Sequence, residues 1–182
     1  MNALELLLSR HSQSRLEAPA PSGQVLENIK QAALRAPDHA SLTPWQFIVF
    51  EGNALCDLGQ IFLESAIENG ADDRALERAP ELPLRAPMVI VAATRFTEHP
   101  KVPEVEQIQS AACAMHAMQM AAYAQGFNGI WRTGSYAQCE VVKRKLGINP
   151  CEELIGFLYL GTTPCDPKVK PEKASSEYFR DW

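Results

Sequence analysis

Arg35-Ala-Pro-Asp-His-Ala-Ser-Leu-Thr-Pro-Trp45 joins an apolar helix pattern to an apolar strand pattern. It carries two prolines, an Asp, a His, a Ser and a Thr, where a plain connector needs little more than a turn residue. Pro37 biases Ala36 away from helical dihedrals and so ends the preceding helix, while Pro44 stiffens the approach to the strand. A loop pinned at both ends can hold its side chains still, as a binding pocket requires.

Working outward from this junction, the helix before it begins after Ser22, a capping residue type, and puts Val25, Leu26, Ile29, Ala33 and Leu34 on one side. Upstream, Leu4, Leu7 and Leu8 mark a short first helix that runs into Arg10-His-Ser-Gln-Ser-Arg15. Downstream, Gln46–Phe50 reads as the first strand, closed by Glu51-Gly-Asn53. Leu55, Leu58, Ile61, Phe62 and Ser65 mark a third helix that ends at Gly70. The charged stretch Ala71–Arg85 is broken by Pro80 and Pro83 and reads as a surface excursion, a candidate lid.

Met88–Thr94 is a continuous apolar run, typical of a strand covered on both faces. Glu104–Gln125 is the longest helix pattern, and its second half, built of small residues and methionines, suits either a core helix or a subunit interface. Asn128–Gly134 reads as a short strand or loop, Val141, Val142 and Leu146 as a short helix, and Leu154–Leu160 as another buried strand. Helices separate the strands, which predicts a three-layer α/β arrangement with helices packed on a mixed or mostly parallel sheet. The chain of 182 residues fits one domain, residues 1–182, with 163–182 as a C-terminal extension ending in Tyr178-Phe-Arg-Asp-Trp182. That aromatic ending needs something to dock on, its own domain or a partner subunit.

A net charge of −5 argues against nucleic acid as a partner. No basic, apolar leader and no apolar run of about 20 residues is present, so a cytoplasmic protein without membrane spans is expected. The five cysteines are scattered without a C-x-x-C and read as core residues and surface thiols. Cys113 and His116 lie three apart on one helix, and with no further ligands at suitable spacing they read as core packing rather than a metal site.

Three constellations carry candidate chemistry. Arg10-His11-Ser12, with Arg15 and Arg35, offers a donor fork and a hydroxyl suited to a phosphate monoester. Arg35 and His39 sit in the proline-bounded loop. Trp131-Arg132-Thr133-Gly134 combines a flat aromatic, a cation and a glycine. The P-loop, dinucleotide, hydrolase-elbow and zinc-protease signatures are all lacking.

Taken in order, Arg10-His-Ser-x-x-Arg15, Arg35-Ala-Pro-Asp-His39, Pro44-Trp-Gln-Phe47, the Ala/Met helix ending at Gly126, Gly129-Ile-Trp-Arg-Thr-Gly134 and Gly156-Phe-Leu-Tyr-Leu-Gly161 resemble the nitroreductase family from Met1 to about Thr162. The resemblance implies an α+β homodimer with FMN at the subunit interface and NADH or NADPH as cosubstrate. It also implies that Arg10, His11 and Ser12 hold the phosphate and ribityl end of FMN, and that Trp131, Arg132 and Thr133 line it from the same subunit. Arg35 and His39 would reach it from the other. Reduced flavin carries negative charge near N1 and the C2 carbonyl, which Arg35, with His39 second, would favour. The chain departs from the wider family at Pro37-Asp38-His39 and at Trp131–Gly134, which bears on acceptor specificity.

The activity so implied is a ping-pong oxidoreductase passing hydride from a nicotinamide to nitroaromatic, quinone or similar flat acceptors. No catalytic side chain is required, since the flavin carries the chemistry. Alternatives are a specialised flavin reductase whose nitro activity is incidental, a non-catalytic flavin-binding or storage protein, and a plain interaction domain.

Overall fold

Among the described residues four strands form the sheet: β1 (Trp45–Glu51), β2 (Met88–Thr94), β3 (Asn128–Arg132) and β4 (Leu154–Gly161), in the order β1-β2-β4-β3. A computed structural model describes residues 2–164 and 173–182 of the chain. The period-two alternation of side chains divides the sheet into two faces. Met88, Ile90 and Ala92 point to one and Val89, Val91 and Ala93 to the other, and all are buried.

Helices cover both faces, giving the expected three layers. On one side Ile29 and Ala33 of α2 (Gly23–Ala33) and Ala111, Ala114, Met115 and Met118 of α5 (Glu104–Ala124) pack on the strands. On the other lie Leu55, Leu58 and Phe62 of α3 (Ala54–Glu68) and Val142 of α6 (Glu140–Lys145). The apolar runs at β2 and β4 are fully buried because helices lie above and below them.

The expected mixed or mostly parallel sheet is corrected: every described pairing, β1 with β2, β2 with β4 and β3 with β4, is antiparallel. A helical crossover does return the chain in the same direction, as helix-separated strands suggested. β2 and β3 both run opposite to β4 and are joined through α5. However, β4 inserts between them, so the two parallel strands never touch.

Segment 71–85 is likewise more than a surface excursion. It contains α4 (Asp73–Arg78), capped by the Asp72 carboxylate, which accepts from the Ala75 amide at 2.8 Å. Ala79 and Pro83 are buried, and Leu76 and Leu82 pack against the α3-side core. Upstream, α1 (Ala3–Ser9) begins with a reciprocal capping box between Asn2 and Glu5, yet buries none of its residues. Leu4, Leu7 and Leu8 are exposed. Of the expected extension 163–182, residues 165–172, Cys165 among them, lie outside the described residues, while Tyr178, Phe179 and Trp182 are exposed.

Candidate functional site

The chain leaves α1 at Arg10 and is fastened against the end of β3 by a run of short bonds. The Gln13 amide donates to the Gly129 carbonyl at 3.1 Å, and Glu17 and Thr162 exchange backbone bonds at 3.0 and 2.8 Å. His11 is buried between these elements. Its Nδ1 lies 3.3 Å from the Ser9 carbonyl, and Asn128 Nδ2 donates to its Nε2 at 3.0 Å. That pattern fits a neutral ring with its proton on Nδ1. The ring also meets Tyr123 edge-on at 5.5 Å. His11 therefore faces the protein interior, whereas Arg10 and Ser12 face outward.

Arg10 and Ser12 line a cleft of about 360 Å³ with Trp131, Thr133, His116 and Gln119. Arg10 Nη1 approaches Ser12 Oγ at 3.5 Å, so guanidinium and hydroxyl share one edge. Trp131 is positioned from β4: its indole N–H donates to the Ile155 carbonyl at 3.0 Å, crossing over Gly156. Gly156 has φ 141°, and a Cβ there would lie 2.6 Å from both the Arg132 carbonyl and Trp131 Nε1. Only glycine lets the indole lie there. Gln119 is buried and donates to the Gly129 carbonyl at 3.0 Å, tying α5 to β3 behind the cleft.

Arg132 is separated from its neighbours by strand geometry. Trp131 packs with the α5-side core, while the Arg132 guanidinium lies on the α3 side, 5.6 Å from the Tyr159 ring centroid. Its Nε is buried with no hydrogen-bond partner among the described residues. Burial pushes the Tyr159 phenol up to about 12, against the pull of Arg132 and Arg85.

Arg35 and His39 lie outside both groups, exposed in the 35–45 loop. Bonds beyond the two prolines tie this loop down. Asp38 accepts from the amides of Leu42 and Thr43 at 3.1 and 2.7 Å, and Ser110 Oγ donates to the Pro37 carbonyl at 2.6 Å. His39 Nδ1 stands 2.7 Å from Glu106 Oε2. Those ties hold three non-glycine residues, Ala40, Ser41 and Thr43, at φ 62°, 54° and 49°.

The structure thus gathers Arg10, Ser12, Trp131 and Thr133, sets His11 behind them, turns the Arg132 side chain to the opposite face and leaves Arg35 and His39 apart within one copy. It adds His116 and Gln119, which the sequence reading did not select. Gln119 stands out in retrospect as a polar residue inside an apolar stretch. His116 and Cys113 are exposed rather than core, since both fall on the outer side of α5. No group of three or more metal-binding side chains occurs among the described residues.

Comparison with known proteins agrees with this architecture. The Escherichia coli K12 protein named "Putative NAD(P)H nitroreductase YdjA" is 48% identical over 162 residues, 89% of this chain and 88% of that protein. The solved structure of a nitroreductase-like family protein from Bacillus cereus superposes with a TM-score of 0.86 at 19% identity, covering 100% of this chain and 96% of the other. A Desulfovibrio desulfuricans structure described as a "putative nitroreductase in complex with fmn" superposes with a TM-score of 0.76 at 18% identity, covering 100% and 98%. The sequence profile of the nitroreductase family matches residues 7–162, and the chain belongs to that family.

Proposed function

We propose that this chain is an FMN-dependent NAD(P)H oxidoreductase, acting in the cytoplasm as a homodimer on nitroaromatic, quinone or similar flat acceptors in two alternating half-reactions. The observation that carries this reading is the cleft that joins Arg10, Ser12 and Thr133 to the Trp131 indole. Its donors suit a phosphate monoester, and a flat ring beside them suits a flat cofactor. The FMN bound by a fold neighbour and the NAD(P)H in the name of the 48% identical relative support the same pair of molecules.

Bound FMN supplies hydride acceptance from the nicotinamide and onward transfer to the acceptor. This chain's residues bind and orient. Arg10 and Ser12 hold the phosphate end, and His11 fixes the loop that presents them. Trp131 and Thr133 line the ring system, while Arg132 contributes through the main chain of the 131–134 stretch. Arg35 and His39 of the second copy close the site, Arg35 balancing negative charge on the reduced ring.

The exposed Leu4, Leu7 and Leu8 of α1 supply an apolar face for that second copy. The chain is one domain, with 163–182 an extension toward the partner. Four unpaired cysteines among the described residues fit a reducing compartment.

The test is the visible spectrum of purified protein, its mass on a sizing column, and rapid mixing with NADH or NADPH. Yellow dimeric protein that bleaches with a nicotinamide and regains colour with a quinone is expected. Colourless monomer that takes up no FMN in excess would sink the reading. Bound flavin that stays oxidised would leave a binding or storage protein.

A further inference from the structure

A second cleft, of about 430 Å³, lies on the α3 side of β3, with Arg85, Arg132, Tyr136, Tyr159, Phe62 and Phe157 in its walls. Three observations on this cleft concern charge, hydrogen bonding and shape.

Its charge is one-sided. Arg85 and Arg132 both line it, no Asp or Glu does, and neither arginine has an ion-pair or hydrogen-bond partner among the described residues. Arg78 is a third cation close enough to act on the Tyr136 phenol. Unpaired arginines around one concavity repel each other and favour an anion between them.

Its hydrogen bonding is incomplete. Tyr159 is only 3% exposed, and its hydroxyl, at the cleft wall, has no partner among the described residues. Burial keeps that phenol protonated, so it is a donor. That hydroxyl opens into the cleft rather than being sealed in the core, so an acceptor bound there would meet it directly.

Its walls are flat and apolar. Tyr136 stacks on Phe62 with ring centroids 4.3 Å apart, and Phe157 meets Phe62 edge-on at 5.1 Å. Such walls bury a ring, and the cleft volume has room for a one- or two-ring molecule.

The geometry points to a binding site for a small aromatic carboxylate, its ring against Phe62, Tyr136 and Phe157 and its carboxylate between Arg85, Arg132 and the Tyr159 hydroxyl. This site is distinct from the Arg10 cleft, because Trp131 and Arg132 project from opposite faces of β3. It is not independent of it, because Trp131 and Thr133 line both.

The probe is benzoate, titrated into the purified protein by calorimetry while the visible spectrum is recorded. Benzamide, the uncharged shape match, and acetate, the anion without a ring, are titrated alongside. Saturable benzoate binding of one per subunit is expected, at least tenfold tighter than either control, with any flavin spectrum unchanged. Arg85→Gln, at an exposed position, and Tyr159→Phe, which removes a single oxygen, are each expected to weaken it fivefold or more while leaving the thermal midpoint within a few degrees.

No saturable heat, equal binding of benzamide, or benzoate binding untouched by both substitutions would overturn the assignment. So would benzoate binding that shifts the flavin spectrum equally in wild type and Arg85→Gln, which would put the anion over the flavin. Flavin-stripped protein is titrated in parallel, so failure of benzoate binding is separable from failure of the proposed function.

Discussion

Asn128 binds His11 and Gly129 at once: its Nδ2 donates to His11 Nε2 at 3.0 Å while its Oδ1 accepts from the Gly129 amide at 2.7 Å. One side chain thereby couples the Arg10–Ser12 loop to the strand that carries Trp131. His11→Ala leaves the buried Asn128 donor without its partner, and is expected to cost about 1–3 kcal/mol of stability. Asn128→Ala should cost a similar amount. Because both act on one contact, the double variant should fall short of the sum by roughly 0.5–2 kcal/mol in urea unfolding. Additive losses would show that the two residues stabilise the loop separately.

Arg10→Ala should weaken FMN retention by roughly 1.5–3 kcal/mol, the range for a hydrogen bond to a charged group. Fluorescence titration of FMN into the flavin-stripped variant measures this directly. Riboflavin, which lacks the phosphate, should bind wild type and variant alike. An unchanged FMN affinity would remove Arg10 from the phosphate end.

Glu152 is a buried carboxylate with a purely architectural assignment. It accepts from Thr94 Oγ1 at 2.7 Å and from the Phe96 amide at 2.9 and 3.0 Å, closing the end of β2 against the turn before β4. Glu152→Ala leaves both donors without a partner and should destabilise by about 2–4 kcal/mol. The midpoint of urea unfolding should fall with little change in slope. FMN affinity measured well below that midpoint should be unaffected.

Cys139 should be the most acidic of the described thiols. Burial raises a thiol's pKa, but the Ser65 hydroxyl at 3.0 Å, the Val142 amide, the Asn69 amide at 3.3 Å and the Val141 amide together bring it below the ordinary range. The pH profile of its alkylation, followed by peptide mass, should have a lower midpoint than those of the exposed Cys56 and Cys151. Ser65→Ala should move the midpoint up. A thiol depressed in the folded state adds stability above the unfolded pKa, and that stability is lost as pH falls through the folded value. The stability cost of Ser65→Ala should therefore grow in alkaline buffer.

The sequence reading reached single elements and short spacings. The apolar run 88–94 coincides with β2, and the Gly126 stop leaves α5 ending at Ala124, because local periodicity and caps decide those features. It did not reach the sheet order. Placing β4 between β2 and β3 depends on contacts across dozens of residues, which no window of sequence contains. The loop at 35–45 was legible only in part. Prolines are visible in the chain, whereas the tethers from Ser110 and Glu106 arrive from α5, more than sixty residues away.

The opposite facing of Trp131 and Arg132 was available from strand alternation alone once 128–132 was taken as a strand. Grouping them as one motif obscured it. Arg85 and Tyr159 had no such signal, since they meet only when segment 71–85 folds against β4.

The placement of β4 also bears on how the polypeptide is made. Among the described residues β3 pairs with no strand but β4, and β4 follows β3 in the chain. While the ribosome is still short of residue 154, the emerging protein holds a finished hairpin-like pair and one strand with nothing to zip to. The hinge of its assembly is thus a late one. A nascent chain stalled before Leu154 should be cut by protease within residues 128–132, and one released a few residues past Gly161 should resist.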